Sequence, residues 1–211
     1  MFENNNCKTG KSIKEVIKMK NMLICVVLVA AVFCATSAWA AASQTVTVNA
    51  TVPTMTGGLT VTVSKVTGTV WTTASTISFG TLTWDSINKI FLPASYYAVD
   101  VGVTDNSGTV WTLTHTRVSL QKDATNNLNG KVNVSFNKQT SSTVGTELAK
   151  YSFGNSQNIA YTKTQLTGGW LRIYYGIGTG EAGNDATGVT PIGLDTPAGT
   201  YTGSVTITLT P

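Results

Sequence analysis

A single histidine, His115, is present in 211 residues, so any nucleophile–base–acid relay in this chain would have to be built on it. No G-x-S-x-G elbow accompanies it. It follows Trp111 and Leu113 at two-residue spacing, which in a strand puts all three on one face. The pattern therefore reads as a partly buried histidine with a hydrogen bond rather than a general base. Gly178-Thr179-Gly180-Glu181-Ala182-Gly183 has G-x-G-x-x-G spacing, but a dinucleotide loop needs a helix directly after it to receive the pyrophosphate. Asn184-Asp185-Ala186-Thr187-Gly188 and then Pro191 follow instead, so the stretch reads as a surface loop. Glu181, Asp185 and Asp195, in or beside it, are the acids that could hold Ca²⁺ or act as a glycosidase pair. Their spacing fits no EF-hand, and they read as solvated loop acids. Among the tryptophans, Trp84 and Trp111 alternate with core residues. Trp71, among threonines, and Trp170, after Gly168-Gly169, are less constrained and are the candidates for an aromatic platform that stacks a glycan. The expectation is a protein without catalytic, metal or cofactor site.

The densest apolar patch is Tyr96 to Val118. Val99, Val101 and Val103 alternate with polar or small residues, Asp105-Asn106-Ser107-Gly108 is turn chemistry, and Trp111 and Leu113 return on one face. This predicts a tight hairpin at the centre of the core. Alternation also predicts strands over Thr45–Val52, Leu59–Val66, Ile77–Trp84 with a bulge at Gly80, Val132–Phe136, Leu171–Tyr175 and Tyr201–Leu209. A short apolar segment, Ile90–Leu92, stops at Pro93. Thr146–Tyr151 is the one weak helical turn, and Gly176–Gly199 is a long loop rich in glycine. About eight short strands with frequent turns imply an all-β fold, an antiparallel immunoglobulin-like sandwich, with a closed barrel as its rival.

Met22–Ala35 is an unbroken apolar run, too short for a span of about 20 residues. Lys18 and Lys20 precede it, and Ala38-Trp39-Ala40 and Ala40-Ala41-Ala42 fit signal-peptidase sites. Residues 1–42 thus read as a secretory signal peptide, with Met19 as the better start, and 43–211 as one domain. Cys7, Cys25 and Cys34 all precede the cut, so the mature chain has no thiol for disulfides or metal. Five of the 14 basic and two of the ten acidic residues precede it too, which leaves nine against eight, a net charge of +1. That is no footprint for nucleic acid, and the only membrane contact expected is through the cleaved signal.

Two families are resembled. ISFGTL at Ile77–Leu82, VTDNSGTVWTLT at Val103–Thr114 and LNGKVNVSF at Leu128–Phe136 are similar to the WxL domain of bacterial surface proteins. Trp111 and Leu113 fall where that family has its first W-x-L, whereas the second position reads Ile207-Thr208-Leu209. YYGIGTG at Tyr174–Gly180, PAGTYTGSVTITL at Pro197–Leu209 and the N-terminal TVTVNATV resemble the spore coat protein U domain, shared with archaic chaperone–usher pilus subunits. Those subunits usually carry cysteines. Both resemblances imply an immunoglobulin-like sandwich on a bacterial surface. The first implies attachment to the wall, the second polymerisation by a donated N-terminal strand.

The expected function is therefore a non-enzymatic structural or fibre-subunit-like protein, secreted or held at the cell surface. Its partners would be other copies of itself or other surface proteins. The alternative is a WxL-type module that binds peptidoglycan or another glycan. Val46, Val48, Ala50 and Val52 are the inward residues of the first strand. It can complete its own sheet or a neighbour's, because the backbone bonds are equivalent in both.

Overall fold

The computed structural model describes residues 45–51, 59–103, 110–142, 145–154, 156–162 and 169–210. The signal-peptide reading, the Asp105–Gly108 turn and Val52 lie outside these residues, as do the side chains of Val46, Val48, Ala50 and Trp111. The described chain is all-β, with thirteen strands where about eight were expected. They are β1 (Thr45–Thr51), β2 (Leu59–Thr67), β3 (Val70–Ala74), β4 (Ile77–Thr81), β5 (Thr83–Asp85), β6 (Ile90–Leu92), β7 (Tyr96–Val103), β8 (Val110–Gln121), β9 (Val132–Gln139), β10 (Gly145–Ser152), β11 (Gln157–Thr162), β12 (Trp170–Ile177) and β13 (Thr200–Thr210). A five-stranded sheet runs β11-β8-β13-β1-β4, a six-stranded sheet β10-β9-β12-β7-β2-β3, and β5 pairs with β6 alone. Every pairing is antiparallel except β1 with β13, which is parallel over seven residue pairs.

The two sheets share one core. The five-stranded sheet supplies Ile77, Leu113, Val205 and Ile207; the six-stranded sheet supplies Val99, Val101, Val134, Phe136, Leu171, Ile173 and Tyr175. These are the alternating positions of each strand, so period-two patterning built the core. The expected central hairpin is not there. β7 pairs with β2 and β12, whereas β8 pairs with β11 and β13. Their two apolar faces meet across the core instead of lying side by side, because turn chemistry reverses a chain without requiring that both strands stay in one sheet.

Gly80 carries the expected bulge. It has φ +65°, and the pairing jumps from Val46↔Gly80 to Thr47↔Ser78, so Phe79 and Gly80 together face one stretch of β1. The irregularity also separates β4 from β5, which the alternation had joined. A second bulge lies where Ser119 and Leu120 of β8 oppose Gly203, and it turns Leu120 into the core after Leu113 and His115. A Cβ on Gly203 would stand 2.9 Å from two carbonyl oxygens of β8, so the close approach needs glycine.

Thr146–Tyr151 is not helical. It lies in β10, paired along β9 from Gly145↔Gln139 to Ser152↔Asn133; the ladder outweighs a weak local helix preference. β3 and β11 are strands that alternation had missed. Both are edge strands, β3 is almost wholly exposed, and among the described side chains each lends the core one partly buried residue, Ala74 and Ile159, too little to make a visible alternation. β3 returns from β2 through a two-residue loop whose Gly68 has φ +58°, the Gly-first hairpin geometry.

Candidate functional site

His115 is fully buried. Its Nε2 shares a 2.9 Å hydrogen bond with the Tyr175 hydroxyl, its ring stacks on Tyr175, and it meets Phe136 edge-on. Nδ1 has no partner among the described residues. Burial lowers the imidazole pKa to about 4 and raises that of the Tyr175 hydroxyl. This is a neutral core pair linking the two sheets.

The glycine-rich loop is organised by one acid. Asp185 accepts hydrogen bonds from the backbone N–H of Thr179, at 3.0 and 3.1 Å to its two oxygens, from Gly180 N at 2.6 Å and from Asn133 Nδ2 at 2.6 Å. Asn133 Oδ1 in turn accepts from Ala186 N. The N–H groups that a phosphate would use in a dinucleotide loop are thus turned onto the chain's own carboxylate. Glu181 accepts from Asn184, and Asp195 is exposed farther along the loop. Among the described residues, no three His, Cys, Asp or Glu side chains gather as a metal site.

The outer face of the six-stranded sheet carries a more developed arrangement. Arg172 points outward from β12 and is nevertheless only 4% exposed. Asp100 lies directly opposite it on β7 and accepts from Nε at 2.6 Å and from Nη2 at 2.8 Å. Nη1 donates to the Ser142 carbonyl at 3.1 Å. The guanidinium sits 4.4 Å from the ring centre of Trp71, 5.7 Å from Trp170 and 5.8 Å from Tyr174, within cation–π range. Hydrogen bonding to Asp100, the main cause, pushes the already high Arg172 pKa up further. Val66 and Ala98, also at outward positions, are buried beneath this cover and stand apart from the main core.

Trp71 and Trp170 thus come together, but around Arg172. Trp71 keeps 40% of its surface exposed; Trp170 is half-buried, and its indole N–H has no partner among the described residues. Tyr174 continues the aromatic row to Tyr96, with ring centres 6.0 Å apart. Beside these tyrosines opens a groove of about 570 Å³, whose other wall includes Asn133, Ser135 and Lys150. Sequence reasoning had passed over Arg172, Tyr96 and Tyr174. The available signal was a charge in each of two apolar strands: Arg172 between Leu171 and Ile173, and Asp100 between Val99 and Val101. Leu113 is buried in the core; Trp111, the second residue of β8, pairs with Tyr161 of β11.

No protein-family model, no curated protein and no solved structure matches the chain.

Proposed function

We propose that this is a non-enzymatic, exported surface protein of structural or fibre-subunit type, an immunoglobulin-like sandwich that associates with other copies of itself or with other surface proteins. The observation that carries the reading is the position of β1. This N-terminal strand lies between β13 and β4, parallel to the first and antiparallel to the second. Its removal would leave an open slot in the five-stranded sheet, flanked by strands that carry Val205, Ile207, Ile77 and Phe79. Such a slot accepts any strand of the same pattern, from the same chain or from another. The burial of His115 in the core supports a role without catalysis. The apolar run Met22–Ala35 with its small-residue sites supports export.

Deletion of residues 43–52 tests the assembly role. The truncated protein should bind an added peptide of sequence QTVTVNATV, and the intact chain should form concentration-dependent oligomers by light scattering that the truncated one does not. An intact chain that stays monomeric at high concentration, with its N-terminus protected from protease, would confine β1 to its own sheet and remove the mechanism.

A further inference from the structure

We infer that the groove beside Tyr96 and Tyr174 binds a neutral oligosaccharide, its sugar rings lying over Gly176. Gly176 is at an outward position of β12, a central strand paired to β9 on one side and β7 on the other. Its φ is not positive and its Cβ position would meet nothing within 4 Å, so neither backbone conformation nor close packing calls for glycine there. Glycine weakens a strand interior, and where no bulge or bend explains it, it marks a place where a ligand or another backbone can approach closely. The space it leaves is the floor of the 570 Å³ groove, within the range of small-ligand sites.

The walls say what kind of ligand. On one side stand two tyrosine rings, and Tyr96 is 39% exposed. Its hydroxyl makes no hydrogen bond among the described residues. On the other side are the Asn133 amide and the Ser135 hydroxyl, both already hydrogen-bonded within the protein, and the Lys150 ammonium. Lys150 donates to the Gly183 carbonyl and pairs with Glu147 at 3.0 Å, which leaves one N–H free. The carboxylate of Asp185 at the groove's end is occupied by the loop. Lys150 is neutralised by Glu147, and the Asp185 oxygens are taken up by N–H donors of the loop and of Asn133, so neither charge is left open to an ionic ligand. A ligand with one apolar flat face and a hydroxyl-rich edge meets both walls, and a pyranose has that shape. A peptide adding as a strand does not fit, because β12 is an inner strand of the sheet, paired to β9 from Trp170 to Ile177 and to β7 from Leu171 to Tyr175.

Saturation-transfer NMR on the full chain, with cellotetraose and chitotetraose as separate probes, tests this. At least one sugar should receive saturation on its ring C–H protons. Gly176→Leu should weaken that binding about tenfold or more while leaving the melting temperature unchanged or higher. Tyr96→Ala, at an exposed position, should weaken it as well, and decides the matter if Gly176→Leu fails to fold. Absence of transfer to both sugars, or transfer undiminished in a folded Gly176→Leu or in Tyr96→Ala, would overturn the assignment. So would displacement of the sugar by the peptide QTVTVNATV, which would make the groove a strand-docking face.

Discussion

Mild acid should destabilise this protein through His115. An exposed histidine titrates near 6.5, whereas burial holds the native imidazole at about 4. Between those values the unfolded chain binds a proton that the native chain refuses, so native stability falls as pH falls. The contribution is intact above pH 6.5. It drops by roughly 2 kcal/mol at pH 5 and about 3 kcal/mol at pH 4, taking 1.36 kcal/mol per pKa unit and allowing for partial protonation. Against a total stability of about 5–15 kcal/mol, that loss is large. Urea unfolding at pH 7.5, 6.5, 5.5 and 4.5 measures it. The control is His115→Gln, which keeps a hydrogen-bonding group for Tyr175 but cannot titrate. It will be less stable than the parent at pH 7.5, and its curve should be flatter from pH 6.5 to 4.5. Asp123, held at about 2 by hydrogen bonds from Asn126 and Thr125, loses its contribution only below the ordinary carboxylate value of 3.8, outside this window. Equal slopes for the two proteins between pH 6.5 and 4.5 would refute the argument.

Asp100→Ala should cost about 3–5 kcal/mol in denaturant unfolding, because it leaves the buried Arg172 charge without its carboxylate; Arg172→Met, which removes the charge instead, should cost clearly less. Phe136→Ala, at a fully buried position between the sheets, should lower stability by about 3–5 kcal/mol. Gly80→Ala should cost about 1–2 kcal/mol from backbone strain alone, since φ is +65° while the Cβ position is open; an unchanged melting temperature would mean the bulge relaxes. Asn129→Ala should cost about 1–3 kcal/mol, because Asn129 Oδ1 accepts from the Leu120 amide and its Nδ2 donates to Ser119 across the second bulge.

Alternation was legible wherever one face of a strand meets the core. Val132, Val134 and Phe136, or Leu171, Ile173 and Tyr175, point to the observed inward positions. It failed where that condition lapses. β3 and β11 are edge strands, and β10 takes its conformation from β9. Alternation also says which face of a strand is buried but not in which sheet the strand lies, so β7 and β8 were joined although they oppose each other. The Arg172 site was hidden for a related reason. Its two charges are 72 residues apart in sequence and become neighbours only through the register of β12 with β7. Trp71 and Trp170 stood out by composition, but only the registers of β3 with β2, β2 with β7 and β7 with β12 bring one guanidinium within reach of both.

The outer face is prepared without help from the core beneath it. Arg172 is fixed by two bonds to Asp100 and one to the Ser142 carbonyl, and Tyr174 packs against the guanidinium, so one wall of the groove has little freedom left. At the groove's end, Asp185 ties the loop to β9 through Asn133, so a loop with several glycines is nevertheless held in place. Binding there would order few additional side chains, and the entropy cost of association is correspondingly small. The two ties are also independent, since they share no residue. Asp100→Ala should loosen the aromatic wall and leave the loop intact, whereas Asn133→Ala should release the loop and leave Tyr174 and Arg172 packed. Hydrogen exchange of the Thr179 and Gly180 amides separates the two cases. They should exchange faster in Asn133→Ala and at the parent rate in Asp100→Ala under conditions where both variants remain folded. Faster exchange in both variants would mean that wall and loop move as one unit.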